Sequence, residues 1–276
     1  MTTTTPLTKE LVNDPAYCRL DLRIGMGSME VMIYNPLEEN SLLLRRVELP
    51  GDSDGALKQI ETFIYDNPLL LSDFRTITAI IESRSFLTVP TPVAESCEPL
   101  TLLRSADSDT DPRAVVIDDR LDAFDAVMLT PLPAATANFL RRTFPNIRLH
   151  NALLPFTRYC HSHLTQGNTV KAFVNMRERS LDIVVMSANT LQLLNRFEYR
   201  DINDAAFYIL NCTESMPEEI SEILIGGNRD RRDELMPLLR KFRPYVMPLI
   251  FPSAMFKAGA DAMKSPFDLI ILPLCE

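Results

Sequence analysis

Glycine is scarce in this chain, with 8 in 276 residues, where an average usage of about 7% would give roughly 19. Phosphate-cradling loops use glycine for positive φ and for close backbone approach to the ligand. A nucleotide enzyme built on this sequence would have to place its few glycines very well. Cysteine is dispersed: Cys18, Cys97, Cys160, Cys212 and Cys275 are odd in number, and no CxxC occurs. That pattern signals neither a disulfide framework nor a zinc ribbon, and it fits reduced thiols in a cytoplasm. Long apolar runs are missing as well. The most apolar stretch, Val246 to Phe256, is broken by Pro248 and Pro252, well short of the roughly 18 to 20 residues of a membrane helix. No membrane span is expected. The first ten residues, MTTTTPLTKE, have no basic region followed by an apolar one and so do not read as a signal peptide; residues 1–16 read as a flexible lead-in. Positive charge is in deficit, with a net charge of -9. That disfavours nucleic acid as a partner, because backbone affinity comes from counterions released by Lys and Arg contacts.

The sequence does hold enough apolar residues for real cores, 46% hydrophobic against 24% charged, the balance of a folded globular chain. Its length suits two compact domains, or one large one. Residues 17–24 and 29–34 alternate as a strand pair around Gly25-Met26-Gly27-Ser28, and 42–49 reads as a third strand. Asp52 or Ser53 can cap a helix over 54–66, where Leu57, Ile60 and Ile64 share one face. Residues 76–83 return to strand. Residues 84–113 are proline-punctuated and then acidic, so they read as loop or exposed insertion. Further strands are expected at 114–117 and 126–132, a helix at 134–143, a short strand at 147–150 and a helix at 151–164.

From Thr169 the three-strand pattern begins again. Ser180-Leu181-Asp182-Ile183-Val184-Val185 lies on Ser28-Met29-Glu30-Val31-Met32-Ile33. After a short gap, Leu193-Leu194-Asn195-Arg196-Phe197-Glu198-Tyr199 lies on Leu43-Leu44-Arg45-Arg46-Val47-Glu48-Leu49. Shared Leu-Leu, Arg and Glu at one register point to an internal duplication.

Two halves that each open with a β-hairpin resemble the actin-like ATPase superfold. Ala172 to Val184 is similar to that family's second phosphate hairpin, and Ile223-Leu224-Ile225-Gly226-Gly227-Asn228 resembles its strand-Gly-Gly-helix adenosine turn. More narrowly, the chain resembles an uncharacterised bacterial family akin to actin-like assembly factors of pilus and secretion machines. The resemblance implies a duplicated, RNase H-like α/β fold: two subdomains, 17–167 (with an insertion at about 84–132) and 168–276, with mixed sheets flanked by helices around a cleft. It also implies candidate nucleotide contacts at Gly25, Gly27, Ser28, Arg177, Arg179, Gly226, Gly227 and Asn228.

The departures from the pattern weigh against hydrolysis. In working members, an acid at the end of each first strand holds hydrated magnesium or positions the attacking water. By the alignment, those positions here are Arg23 and Asn175. Arg177-Glu178-Arg179 replaces the second glycine loop and would crowd the phosphate position. Arg23, Arg177 and Arg179 read as surface or salt-bridged side chains, with metal-free anion binding as the alternative. Gly226-Gly227-Asn228 reads either as a ligand contact or as a tight turn with Asn228 as N-cap and Leu235, Leu238, Leu239 and Phe242 packed behind it. Cys160 and His163 could converge on a helix but lack further ligands for a metal, so no metal is expected. Asp118, Asp119, Asp122 and Asp125 read as caps and a solvated turn. No catalytic residue is assigned. The expectation is a non-hydrolysing cytoplasmic factor with an unidentified protein partner, the alternative a nucleotide-binding protein or slow ATPase with ATP as ligand.

Overall fold

Alternation of apolar and polar residues sets the first sheet of the computed structural model, which describes residues 7, 12–164 and 169–275. The chain divides into two compact units, one of residues 1–120, 127–152 and 254–265, the other of 121–126, 153–253 and 266–276. Of the expected lead-in, residues 1–6 and 8–11 lie outside the described residues. Leu7 is buried, and its N–H donates to Asn67 Oδ1 at 2.7 Å.

The first unit contains β1 (Arg19–Ile24), β2 (Ser28–Tyr34), β3 (Leu43–Glu48), α1 (Ser53–Asp66), β4 (Thr76–Ile81), β5 (Leu87–Pro90), α2 (Thr91–Ser96), α3 (Pro99–Ala106), β6 (Val115–Leu121), β7 (Ala126–Leu132), α4 (Ala134–Thr143) and β8 (Arg148–Asn151). Its main sheet has the order β3-β2-β1-β4-β8. The β1–β2 and β2–β3 pairs are antiparallel; β1–β4 and β4–β8 are parallel. Leu20, Leu22 and Ile24 of β1 and Met29, Val31 and Ile33 of β2 turn to one core with Ile60, Ile64, Phe139 and Leu140 from α1 and α4. Because successive strand side chains face opposite ways, Arg19, Asp21, Arg23 and Glu30 fall on the other face, and all four are buried. Asp52 caps α1 by accepting from the Gly55 N–H.

The second unit contains α5 (Leu153–Ser162), β9 (Val170–Met176), β10 (Ser180–Met186), β11 (Leu191–Glu198), α6 (Ile202–Glu214), β12 (Ile220–Gly227), α7 (Arg229–Leu239), β13 (Val246–Pro248) and α8 (Phe267–Ile271). Its sheet, β11-β10-β9-β12-β13, repeats the first sheet's order and its strand directions. A capping box of Asp201 and Asp204 starts α6. Registers match across the two sheets. Arg23 pairs with Glu30 and Glu30 with Arg46, as Asn175 pairs with Asp182 and Asp182 with Arg196. Among the described residues, no helix is long and apolar enough to cross a membrane.

The segment read as loop at 84–113 folds differently. Leu87–Pro90 joins a small sheet of order β5-β7-β6, and two short helices follow it. The prolines start these helices instead of breaking them: Pro92 and Pro99 sit in the first turns, where a missing N–H costs nothing. The Glu98 carboxylate caps α3 through the Leu100 and Thr101 N–H groups. The acidic run after Ile117 is also corrected. Asp118 and Asp119 continue β6, and alternation with buried Ile117 and Leu121 turns Asp119 inward. Its carboxylate accepts from His150 Nδ1–H and the Asn151 N–H, both at 2.7 Å.

Candidate functional site

Two hairpins carry the residues expected at phosphate positions, and each is closed the same way. The Gly25 N–H donates to the Ser28 carbonyl at 2.9 Å, as the Arg177 N–H does to the Ser180 carbonyl at 2.8 Å. The third strand then locks each tip, through Leu49 N–H to Gly27 O at 2.9 Å and Tyr199 N–H to Arg179 O at 3.0 Å.

In the first hairpin Arg23 is buried. Its Nη1 lies 2.9 Å from Glu30 Oε2 and its Nη2 2.6 Å from Glu82 Oε2, with all three side chains under a tenth exposed. Ser28 Oγ–H donates to Glu30 Oε1 at 2.7 Å, and Arg46 Nε stands 3.7 Å from the same oxygen. Gly25 is small because this pair lies over it: a Cβ there would meet Glu82 Oε2 at 2.8 Å and Arg23 Nη1 at 3.2 Å. A Cβ on Gly27 would meet open space.

In the second hairpin Asp182, at the position equivalent to Glu30, is fully buried. Arg196 Nε donates to its Oδ1 at 2.7 Å, and Arg177 Nη1 and Asn175 Nδ2 approach its Oδ2 at 2.5 and 3.3 Å. Arg177 Nη2 reaches Asp268 of α8 at 2.8 Å. Arg177 therefore turns inward instead of crowding the hairpin tip, while Arg179 is exposed. Of the two readings, surface or salt-bridged, Arg23 and Arg177 take the salt-bridged one, below the surface. A buried carboxylate makes it favourable for the cation to leave water, provided the pair is well hydrogen-bonded.

At the end of β12, Gly227 has φ +89°. A Cβ there would stand 2.1 Å from the Met176 carbonyl and 2.6 Å from Asn175 Oδ1, so a side chain is excluded both by backbone and by space. The Asn228 N–H donates to Met176 O at 2.7 Å, and Asn228 Oδ1 accepts from the Arg231 N–H at 3.1 Å as the N-cap of α7. A Cβ on Gly226 would press on Leu249 at 3.1 Å. Leu235 and Leu239 pack behind this turn as expected, but Phe242 is exposed, because α7 ends at Leu239 and the chain has turned away.

Glu30, Glu82, Asp182 and Asp268 were not singled out in the sequence. One signal was available: Glu30 and Asp182 are both acids at the same repeat position, opposite Arg46 and Arg196. Cys160 is wholly buried, and burial pushes its thiol pKa well up. His163 lies beyond the end of α5, with Nδ1–H donating to Tyr159 O at 2.8 Å. Among the described residues, no three His, Cys, Asp or Glu side chains form a group that could hold a metal.

The family model described as protein of unknown function (DUF3822) matches residues 9–246. No curated protein matches the chain. A Bacteroides thetaiotaomicron protein with actin-like ATPase fold and unknown function superposes at TM-score 0.76 and 20% identity, covering 95% of this chain and 97% of that one. A chain of the PilM–PilN type IV pilus biogenesis complex superposes at 0.60 with 11% identity, over 95% and 98%. The ethanolamine utilization protein EutJ from Carboxydothermus hydrogenoformans reaches 0.50 with 9% identity, over 96% and 93%. Likeness at these identities shows the fold, which is the actin-like ATPase fold.

Proposed function

Because the chain belongs to the family described as protein of unknown function (DUF3822), we propose that it is a non-hydrolysing member of the actin-like superfold, an assembly or interaction factor for a protein partner in the cytoplasm. The observation that carries this reading is the pairing of both hairpin carboxylates with arginine. Magnesium-assisted phosphoryl transfer needs carboxylates free to hold the metal's hydration shell or orient the attacking water. In the first hairpin, Arg23 engages Glu30 and Glu82 and presents a cation where another cation would have to approach. In the second, Asn175 carries no charge, and Asp182 is engaged by Arg177 and Arg196.

The assembly side of the proposal draws on the fold-level likeness to a chain of a pilus biogenesis complex. The matched sheet orders and registers support an internal duplication as the origin of the two units. In such a history, each hairpin would have exchanged metal binding for an internal ion pair.

The test is a coupled phosphate-release assay on purified full-length protein with ATP and magnesium, with and without chelator, alongside thermal melts with ATP. The expected result is no magnesium-dependent turnover and at most weak, metal-independent nucleotide binding. Robust turnover abolished by chelation would overturn the proposal in favour of a slow ATPase.

A further inference from the structure

We infer that the face formed by α7 and β13 in the second unit docks an acidic peptide segment of a protein partner, anchored by an apolar side chain. Arg232, Asp233, Met236, Pro237, Arg240 and Pro248 line a shallow cavity of about 280 Å³ there. Its apolar walls suit one aliphatic or aromatic side chain.

Charge complementarity names the rest of the occupant. Residues 229–243 hold six basic and three acidic side chains, on a chain whose net charge is -9; Arg229 and Arg232 pair with Asp233, Arg231 with Glu234 and Arg243 with Glu214, so the basic groups still outnumber the carboxylates that hold them. A basic stretch on an acidic protein attracts and orients an acidic segment, while the net charge repels an extended polyanion such as nucleic acid. A second copy of this chain docking by a two-fold would set the same basic helix against itself.

The edge strand is closed to strand addition, which leaves recognition to side chains. The β13 carbonyl of Val246 points away from β12 and is taken by Arg240, whose Nε and Nη2 donate at 3.1 and 3.0 Å. Pro248, next on that side, has no N–H to offer. Yet this stretch keeps large apolar side chains in water: Phe242 is 67% exposed, Tyr245 66% and Ile250 79%. A concentration of this kind marks an interaction surface when its backbone edge is protected against aggregation.

The inference rests on reading the chain as an interaction factor, and one experiment separates the two. A display library of random peptides about twelve residues long would be panned against the full-length protein. Selected peptides would then be titrated by fluorescence anisotropy against wild type, Arg229→Glu/Lys241→Glu and Ile250→Asp, each checked for a native melt. The expected selection is enriched in Asp and Glu around Leu, Ile or Phe, binds more weakly as salt rises, and loses about tenfold or more in affinity with the charge-reversed variant. Failure to select any peptide, selection of neutral or basic ones, or acidic binders indifferent to both variants would overturn the inference. Self-association abolished by either variant would assign the face to a second copy and overturn it too. Magnesium-dependent turnover with acidic peptide binding intact would sink the non-hydrolysing reading alone.

Discussion

Replacing Arg23 with Met keeps an apolar stem in place but leaves Glu30 and Glu82 buried without the guanidinium between them. Both carboxylates are under a tenth exposed, so water cannot replace the lost partner. Breaking a buried pair from one side costs on the order of 3–5 kcal/mol, because an uncompensated charge stays behind. Glu30 keeps the Ser28 hydroxyl at 2.7 Å and the half-exposed Arg46 at 3.7 Å, which places the loss toward the lower end of that range. For a unit of this size, each kcal/mol moves the melting temperature by about 2–4 °C, so a drop of about 6–12 °C is expected by circular dichroism at neutral pH. The triple variant Arg23→Met, Glu30→Gln, Glu82→Gln should recover most of the loss, because no buried charge remains. A single variant that melts within about 2 °C of wild type, or a triple variant no better than the single, would refute the reading of Arg23, Glu30 and Glu82 as a buried cluster held together by its ion pairs.

Burial pushes the Tyr159 phenol up to about 12, with Cys160 and Cys275 adding to the shift, and burial likewise pushes Tyr199 up to about 12, against an opposing effect of Arg231. In an ultraviolet phenolate titration, three of the seven tyrosines should therefore titrate late, since burial raises Tyr34 as well, against an opposing effect of Arg19. Their folded-state values lie above the ordinary tyrosine value of 10.0, so the stability they contribute is whole below pH 10 and is lost as pH rises toward 12; titration of all seven as one group near 10 would contradict this. Limited proteolysis should cut first within 111–113, the exposed residues before β6, and resistance there with earlier cleavage in 87–106 would show that α2 and α3 do not hold.

Much of the main architecture is written in local periodicity. Leu20, Leu22 and Ile24 alternate because a strand has period two, and Ile60 and Ile64 share a face because a helix turns every 3.6 residues. Asp52 and Asn228 act as caps in the structure as they do in the sequence, since a cap bonds N–H groups two or three residues away. The repeat was legible for the same reason: Glu30 and Asp182 fall opposite Arg46 and Arg196 in registers that each half's spacing sets. Proline misled the reading at 91–99, because the same residue ends one element and begins another. The chemistry of the hairpins was decided by tertiary structure. Glu82 lies 59 residues from Arg23 and Asp268 lies 91 residues from Arg177, and no local pattern couples positions so far apart. Only the parallel placement of β4 beside β1, and of α8 against the second sheet, brings each carboxylate to its arginine. The sequence offered a salt bridge for these arginines without naming its partners; the tertiary structure supplies the carboxylates whose attraction offsets the cost of taking each charge out of water.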